Sequence, residues 1–172
     1  MDDLTQLALA GRDGDPIALR AFVRTAQPDV WRLARHLVGE NDADDVAQDA
    51  LLRAVRGLHG FAARSSARTW VLSITRRAAA DHLRGVRRRR VRDERLRPSP
   101  PAPDHAGVLA LDALVDGLGH DQRAAFVLTQ LLGLSYAEAA VVCGCEVGTI
   151  RSRVARAREQ LVGGAAAAEA AG

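Results

Sequence analysis

Apolar side chains recur every three or four residues along most of the chain, a spacing that predicts amphipathic helices. Val46, Ala50 and Ala54 form one such row in the first half of the chain. Ile150 and Val154 belong to another row near the C-terminus. No segment of useful length shows the strict alternation of apolar and polar positions that is typical of strands. The pattern therefore predicts an all-α protein.

The second half of the chain carries the signals of a helix-turn-helix. Ser135 and Glu138 have the spacing of a capping box, so a helix is expected to begin at Tyr136. Gly144 can adopt the positive φ of a tight turn, and a second helix is predicted from Val147. The apolar row expected on the first helix consists of Ala137, Ala140 and Val141. The row expected on the second consists of Ile150, Val154, Ala157 and Leu161.

Helix boundaries in the first half are marked by capping residues and prolines. Asp15-Pro16 predicts an N-cap followed by proline at the first helical position. Gln27-Pro28 predicts the opening of a separate segment, because the residue before a proline disfavours helical backbone. Asn41 and Asp44 are the expected caps of a helix over residues 42–57.

A loop over residues 60–66 is expected to separate that helix from a long one that begins near Ala67. Trp70 falls at helical spacing with Ile74, which favours a core position over a platform for base stacking. The long helix is expected to end in the run Arg87-Arg88-Arg89-Arg90. Such a run can neutralise the phosphates of duplex DNA or form a solvated charged face.

Prolines divide the chain into two parts. Four of the six prolines lie within residues 98–103, where they favour extended and unpaired backbone. The predicted architecture is two small helical domains joined by a proline-rich linker, the second containing the helix-turn-helix. The first domain is assigned to residues 1–92, the linker to 93–107 and the second domain to 108–163. The alanine-rich tail, residues 164–172, is expected to fray.

Positive charge is concentrated in the first domain and on the last helix. All 24 basic side chains are arginine, and the formal net charge is +3. Residues 1–92 hold 17 arginines against 11 acids, whereas residues 108–172 hold five against seven. Arginine binds phosphates and guanine edges through paired hydrogen bonds from its planar guanidinium. The charge distribution therefore favours nucleic acid as a partner.

The remaining composition argues against several other classes of protein. No apolar run approaches the roughly 20 residues of a membrane span. The acidic start Met1-Asp2-Asp3 argues against a signal peptide. The only cysteines, Cys143 and Cys145, are too close for an unstrained disulfide and too few for a zinc site. No catalytic triad, phosphate loop or carboxylate pair stands out. We therefore predict a cytoplasmic protein without membrane insertion, metal, cofactor or catalysis.

Two sets of motifs resemble the extracytoplasmic-function (ECF) sigma factors of the sigma-70 family. Residues 42–49, 68–74 and 81–84 are similar to domain 2 of these proteins. Residues 134–140 and 148–153, together with Leu118, Gln122-Arg123 and Ala157-Arg158, are similar to domain 4, and the motif order and the linker agree. The resemblance implies a transcription initiation factor that recognises and opens the −10 promoter element with domain 2. Domain 4 would read the −35 element in the major groove, and the chain itself would catalyse nothing.

The resemblance also implies partners and site residues. The partners are promoter DNA, an anti-sigma factor and core RNA polymerase, which is bound through the coiled coil of its largest subunit and the flap of its second-largest subunit. Docking on polymerase is carried over to Asp44, Asp45, Gln48 and Asp49. Contact with the −10 element is carried over to Arg64, Ser65, Ser66, Arg68, Arg77, Arg84, Arg87 and Arg88. Contact with the −35 element is carried over to Thr149, Arg151, Ser152, Arg153, Ala155 and Arg156.

The arginines of the recognition helix are expected to differ in role. Arg151 and Arg156 lie about 140° apart around a helix and flank two small side chains on the groove-facing sector. They are expected to read bases, because arginine binds guanine in a bidentate way. Arg153 and Arg158 are expected to hold phosphates or acids instead.

Arg77 departs from the family pattern, in which asparagine is common at this position. An arginine can stack on a base or bind a phosphate, but it offers no amide acceptor. The departure leaves the base preference at the −10 element open.

A stand-alone helix-turn-helix regulator is the main alternative. It would bind an operator without being a polymerase subunit, and it would account for residues 108–163. It would leave the motifs of residues 42–84 without a role. Dependence of promoter binding on core polymerase separates the two hypotheses.

Overall fold

The computed structural model describes residues 2–94 and 110–170, which are helical apart from short turns and one loop. The α-helices are α1 (Asp3–Arg12), α2 (Pro16–Val38), α3 (Glu40–Gly57), α4 (Ala67–Glu94), α5 (Ala110–Asp116), α6 (His120–Phe126), α7 (Tyr136–Cys143) and α8 (Val147–Ala170). A 3-10 turn, Leu58–Gly60, follows α3, and a π-helical turn, Val127–Leu131, continues α6. No strand occurs within the described ranges, so the all-α class is confirmed. Most of the expected linker, residues 95–107, lies outside those ranges.

Helices α1 to α4 form a first bundle around an apolar core. α2 packs against α1, α3 and α4. Its side chains Phe22, Val30 and Leu33 are completely removed from solvent, and Leu72 of α4 meets them in the same core. Full burial of a side chain of this size contributes about 1.5–3 kcal/mol. The row predicted for α3 is buried at Val46, Ala47, Ala50, Ala54 and, in the following turn, Leu58.

Helices α5 to α8 form a second bundle. α8 packs against α5, α6 and α7 and buries the row that was predicted for it: Ile150, Val154, Ala157 and Leu161. Leu128 of the π-helical turn is fully buried in the same bundle. The hydroxyl of Thr129 donates to the carbonyl oxygen of Ala125 at 2.8 Å, which satisfies a buried polar group inside this irregular turn.

The two bundles touch, chiefly where α7 packs against α4 and α6 packs against α2. Each bundle sends one arginine to backbone carbonyls of the other. Arg68 of α4 donates from Nη2 to the carbonyl of Leu132 at 2.7 Å. Arg123 of α6 donates from Nη1 to the carbonyl of His36 at 3.2 Å, and its Nη2 contacts the carbonyls of Asp116 and Leu118. Burial lowers the pKa of Arg123 below its usual value.

One predicted helix boundary, at Gln27-Pro28, is wrong. α2 begins as expected, with the Asp15 carboxylate accepting from the amides of Ile17 and Ala18, but it then runs unbroken to Val38. Pro28 is exposed, while residues on the opposite side of the helix are buried before and after it. Packing along the whole helix outweighs the one backbone hydrogen bond that proline removes.

The expected caps of α3 are also wrong. This helix begins at Glu40, directly after Gly39, whose φ of +88° ends α2 and turns the chain. Asn41 and Asp44 therefore lie inside the helix instead of capping it. No side chain caps this end, and glycine supplies the sharp reversal between α2 and α3.

One expectation for the second bundle needs correction. On α7 the buried residues are Ala139, Ala140, Val142 and Cys143. Ala137 and Val141 are exposed, because α7 is covered on one side by α8 and on another by α4. The backbone of α8 continues as helix to Ala170, beyond residue 163, where the alanine-rich tail was expected to begin.

Candidate nucleic-acid and protein interfaces

The turn between α7 and α8 has the geometry that its sequence predicts. The hydroxyl of Ser135 accepts from the amide of Glu138 at 3.2 Å, and the Glu138 carboxylate accepts from the amide of Ser135 at 2.9 Å. The hydrogen bonds from Ser135 lower the pKa of the Glu138 carboxyl. Gly144 adopts φ +64°, and the amide of Cys145 donates back to the carbonyl of Ala140 at 3.1 Å. This closing pattern fixes the angle at which α8 leaves the turn.

α8 presents a polar face opposite its buried row. Arg151, Ser152, Ala155 and Arg156 are all exposed, and Thr149 at the start of the helix is half-buried. Two guanidinium groups thus flank a strip of small side chains on one helix face. This arrangement suits insertion into a DNA major groove, because the small residues let the helix approach while the arginines reach base edges or phosphates.

Arg153 and Arg158 are held by side chains of neighbouring elements. Arg153 is only 21 % exposed, and its Nη2 lies 2.6 Å from Oδ2 of Asp121 on α6. Arg158 donates from Nη2 to the side-chain oxygen of Gln130 at 2.7 Å. Of the two roles expected for Arg153, binding a phosphate or binding an acid, the structure has the second. The ion pair with Asp121 connects α8 to α6.

The two cysteines show no sign of a metal centre. Burial raises the pKa of the Cys143 thiol to about 11, so this side chain stays protonated and packs as an apolar group. Cys145 Sγ lies 3.7 Å from Nη1 of Arg153. No group of three or more histidine, cysteine and acidic side chains is placed to hold a metal within residues 2–94 and 110–170.

The face expected to dock on polymerase borders an apolar groove between α2 and α3. The groove has a volume of 510 Å³ and is lined by Asp44, Asp45 and Gln48 together with apolar side chains. Among the latter, Trp31 is 37 % and Leu52 49 % exposed. The three polar residues are exposed, and the indole nitrogen of Trp31 donates to Asp44 Oδ1 at 2.7 Å. Exposed apolar area ringed by acids is typical of a protein-binding surface.

Asp49, the fourth expected docking residue, faces a different way. Its carboxylate contacts Arg53 on the same helix at 2.8 and 3.1 Å, and Arg53 also reaches Asp81 of α4 at 2.6 Å. Asp49 is half-buried between α3 and α4 and does not line the groove that holds the other three.

The loop expected to hold a −10 base precedes α4. Arg64 is exposed, and Ala63 adopts φ +50°, a conformation that residues other than glycine seldom take. Ser65 and Ser66 are half-buried. The hydroxyl of Ser66 accepts from the amide of Thr69 at 3.1 Å and so satisfies the first turn of α4. The structure gives Ser66 a capping contact that the sequence analysis missed.

The other expected −10 residues follow along α4. Arg68 is engaged internally: Nε lies 2.7 Å from Asp29 Oδ2, and Nη2 binds the carbonyl of Leu132 in the second bundle. Arg77 is exposed and donates to the carbonyl of Ser73 at 3.1 Å. Arg84, Arg87 and Arg88 are exposed and line a shallow basic depression of 320 Å³ with Val91.

Several residues that shape these surfaces escaped the sequence analysis. They are Trp31, Arg53, Asp121 and Gln130, to which the resemblance gives no role. Each makes a contact with a residue at least 13 positions away or joins two helices, and a single sequence carries no signal for such pairs. Asp81 lies within the motif at residues 81–84 and could have been recognised from it.

Sequence models of known families match both halves of the chain. The model of Sigma-70 region 2 matches residues 22–90, and that of Sigma-70 region 4 matches residues 109–161. The first match contains α3, the loop and nearly all of α4. The second contains the helix-turn-helix. The structure describes no helix that is long and apolar enough to cross a membrane.

Individual relatives agree with these matches. The ECF RNA polymerase sigma factor SigC of Mycobacterium tuberculosis is 48% identical over 165 residues, which is 92% of this chain and 89% of the relative. The structure of CnrH in complex with the cytosolic domain of CnrY has a TM-score of 0.73 at 27% identity and covers 94% of this chain and 96% of that one.

A second solved structure is that of the sigma factor RpoE in complex with the anti-sigma factor NepR from Bartonella quintana. It has a TM-score of 0.70 at 32% identity and covers 83% of this chain and 92% of that one. Two family regions in the expected order and relatives that match nearly the full length lead to one assignment. The chain belongs to the ECF sigma factors of the sigma-70 family, the promoter-recognising initiation factors of RNA polymerase.

Proposed function

We propose that this chain docks on core RNA polymerase through the groove between α2 and α3 and reads promoters through two separate surfaces. The −35 element is contacted by the exposed face of α8, and the −10 element by the loop at residues 61–66 and the exposed side of α4. The observation that carries the proposal is the presence, in one chain, of an acid-ringed apolar groove and two arginine-lined helix faces.

Docking relies on complementary chemistry. Trp31 and Leu52 offer apolar area that a partner helix can cover, and Asp44, Asp45 and Gln48 form its polar rim. Aromatic side chains at the centre of a groove commonly dominate binding, whereas rim charges steer the encounter. The partner surface on the largest subunit is therefore expected to be a helix pair with apolar and basic side chains. Asp49 contributes indirectly, because Arg53 already binds its carboxylate.

Recognition of the −35 element is assigned to Arg151 and Arg156, with Ser152 and Ala155 allowing close approach. Thr149 and the first turn of α8 contribute backbone and hydroxyl donors to phosphates. A good bidentate contact between arginine and guanine gives about 1–3 kcal/mol of discrimination between bases. Arg153 is a structural residue in this scheme, because Asp121 holds it away from the DNA-facing side.

Recognition of the −10 element is assigned to Arg64, Arg77, Arg84, Arg87 and Arg88, all of which are exposed on the first bundle. An unpaired base can be held in the loop, where its pairing edge is readable. The chain supplies binding energy and orientation, and the synthesis of RNA belongs to the polymerase. We therefore propose that it is not itself an enzyme and needs no cofactor.

Arg68 imposes a condition on this function. Its guanidinium contacts Asp29 and the carbonyl of Leu132, and α7 packs on the α4 surface beside it. Arg68 can reach DNA only if the second bundle moves away from α4. The part of the −10 surface around Arg68 is accordingly less accessible than the −35 surface in the arrangement described.

An anti-sigma factor is the further partner we propose. One solved relative is a sigma factor in complex with an anti-sigma factor, and another is CnrH in complex with the cytosolic domain of CnrY. The groove beside Trp31 and Leu52 is a site that such a regulator could cover, since it exposes apolar side chains of two helices. Occupation of the groove would exclude polymerase.

Footprinting on promoter DNA with and without core polymerase tests the proposed function. We expect protection of the −35 and −10 elements with polymerase and this chain together, and weak or unspecific binding by the chain alone. A stand-alone regulator would protect the same bases to the same extent without polymerase. That result would overturn the proposal in favour of the regulator.

A further inference from the structure

A row of four side chains with alternating charge connects α3 with α4. Arg53 lies between two carboxylates, with contacts of 3.1 and 2.8 Å to Asp49 and of 2.6 Å to Oδ2 of Asp81. The other oxygen of Asp81, Oδ1, accepts from Arg84 Nη2, one turn further along α4. Asp49 and Arg84 are therefore joined through two intermediates that belong to different helices.

The two ends of this row of charges, Asp49 and Arg84, lie near surfaces with different proposed partners. Asp45, one turn before Asp49 on α3, lines both the polymerase groove and the cleft in which Asp49 lies. Arg84 lines the depression on the exposed side of α4 that is proposed to bind DNA. We propose that Arg53 and Asp81 are positioning residues that link docking of α3 on polymerase to the freedom of Arg84 to bind −10 DNA. This inference rests on the proposed function and assigns roles to two residues outside it.

The link follows from competition for the Asp81 carboxylate. In the arrangement described, each of its oxygens is taken by a different arginine. A basic side chain of polymerase that approaches Asp49 would weaken the hold of Asp49 on Arg53. Arg53 could then bind both oxygens of Asp81 in the fork geometry that guanidinium and carboxylate favour. Arg84 would lose its partner and become available to a phosphate.

The surroundings allow this exchange. Asp49, Arg53 and Asp81 lie around a polar cleft of 260 Å³ between α3 and α4, which is also lined by Asp45, His82 and Arg89. Arg84 lies outside this cleft, in the depression that it lines with Arg87 and Arg88. The side chains of Arg53, Asp81 and Arg84 are 40 %, 44 % and 65 % exposed. They can therefore exchange partners without any rearrangement of the core. Hydrogen bonds from Arg53 first, and from Arg84 as well, lower the pKa of the Asp81 carboxyl. It therefore remains ionised, and both arginines compete for it at neutral pH.

The test uses holoenzyme assembled at saturating core polymerase and a fork-junction probe that carries single-stranded −10 DNA. Arg53→Ala leaves Arg84 as the sole partner of Asp81, so we expect DNA affinity to fall about two- to fivefold, the range of an exposed ion pair. Adding Asp81→Asn to that variant removes the carboxylate that retains Arg84, and affinity should return to the wild-type value. A merely structural role of Arg53 would not be rescued in this way.

Two matched variants complete the design. Arg56→Ala removes an exposed arginine from the same helix, and its effect on affinity should be insensitive to Asp81→Asn. In an Arg84→Ala background, Arg53→Ala should have no further effect. Circular dichroism of each variant checks that the helical content is retained, and Asp81→Ser replaces Asp81→Asn if the latter melts early.

The outcomes separate this inference from the function on which it rests. If the wild-type holoenzyme does not form, or does not bind the probe, the proposed function itself is contradicted. If wild-type holoenzyme binds the probe but Asp81→Asn does not reverse the effect of Arg53→Ala, the link alone is overturned. The same holds if Arg53→Ala has the same effect as Arg56→Ala. Reversal by Asp81→Asn together with the loss of effect in the Arg84→Ala background supports it.

Discussion

Arginine lines both surfaces that are proposed to contact promoter DNA, but it is exposed on one surface and engaged in contacts within the protein on part of the other. On α8, Arg151 and Arg156 stand exposed on a helix whose opposite face is buried. At the start of α4, Arg68 is bound to Asp29 and to a carbonyl of the other bundle, and α7 packs on the same helix. The −35 surface is thus accessible to the major groove of DNA. Part of the −10 surface becomes accessible only after the contact between the two bundles changes.

The difference shows that an arginine in a DNA-binding motif cannot be assigned from its position alone. Arg153 and Arg156 are three residues apart on one helix, yet Asp121 holds the first at 2.6 Å while the second is exposed. What separates them is the neighbouring helix α6, which carries the acid. Partner and exposure therefore decide which guanidinium is available to DNA.

Arg123→Ala should produce the largest change. Its guanidinium binds carbonyls of both bundles, and hydrogen bonds from a charged donor contribute about 1.5–3 kcal/mol. Loss of these bonds should shift the chain toward separated bundles. Small-angle scattering should show an increased radius of gyration, while circular dichroism shows unchanged helical content.

Arg56→Ala, on an exposed side of α3, is the matched control and should leave the scattering curve as it is. If Arg123→Ala scatters like the wild-type chain, the Arg123 contacts do not hold the bundles together, and the contrast in accessibility between the two promoter surfaces loses its support.

Arg156→Ala and Arg153→Ala should differ in kind. The first removes a group proposed to read a base, so about 1–3 kcal/mol of discrimination at one −35 position should disappear. The second breaks the contact with Asp121 and should lower stability without changing base preference. Transcription from a series of −35 substitutions measures both. A single common factor across all promoters for Arg156→Ala would make it a phosphate contact instead.

Local signals in the sequence were sufficient for much of the fold. The capping box at Ser135 and Glu138, the turn at Gly144 and the buried row of α8 follow the spacing of the residues involved. Each depends on residues within one or two helical turns, where backbone geometry relates sequence distance to position in space. Asp15 is a further cap of this kind.

Features that depend on a distant partner were not predictable in the same way. Pro28 was expected to break a helix, and packing of both halves of α2 on the core prevents the break. The resemblance assigns Asp49 to the docking surface with Asp44 and Asp45, yet its carboxylate binds Arg53 on the side of α3 that faces α4. The contact between Arg68 and Leu132 spans 64 residues, and periodicity contains no information about it.

Ser135→Ala should lower stability by a smaller amount. The hydroxyl is the N-cap of α7 and part of a reciprocal pair with Glu138, and such caps contribute about 0.5–2 kcal/mol. Chemical denaturation monitored by circular dichroism should show an earlier midpoint. Ser135→Thr keeps a hydroxyl that can both accept from the Glu138 amide and donate to its carboxylate, and it should recover most of the loss. No recovery would mean that the cap does not set the stability of this helix.

Glu138 should give the smallest effect, and it depends on pH. The folded-state pKa of this carboxyl lies below its unfolded value because of the hydrogen bonds from Ser135. Its stabilising contribution is therefore present above the unfolded pKa and is lost as pH falls through the folded pKa. At about 0.3–1 kcal/mol, the size of a charge at a helix N-terminus, Glu138→Gln should slightly flatten the acid side of the stability profile. A steeper profile for Glu138→Gln would contradict the assignment.

Run-off transcription with core polymerase on a library of genomic fragments tests the central claim most directly. The account predicts transcripts from a defined class of promoters only when this chain is added, with start points set by shared −35 and −10 elements. It also predicts that reversing the charges of Asp44 and Asp45 beside the groove reduces these transcripts by weakening assembly with polymerase. Promoter-specific binding by the chain without any polymerase-dependent transcript would contradict the account.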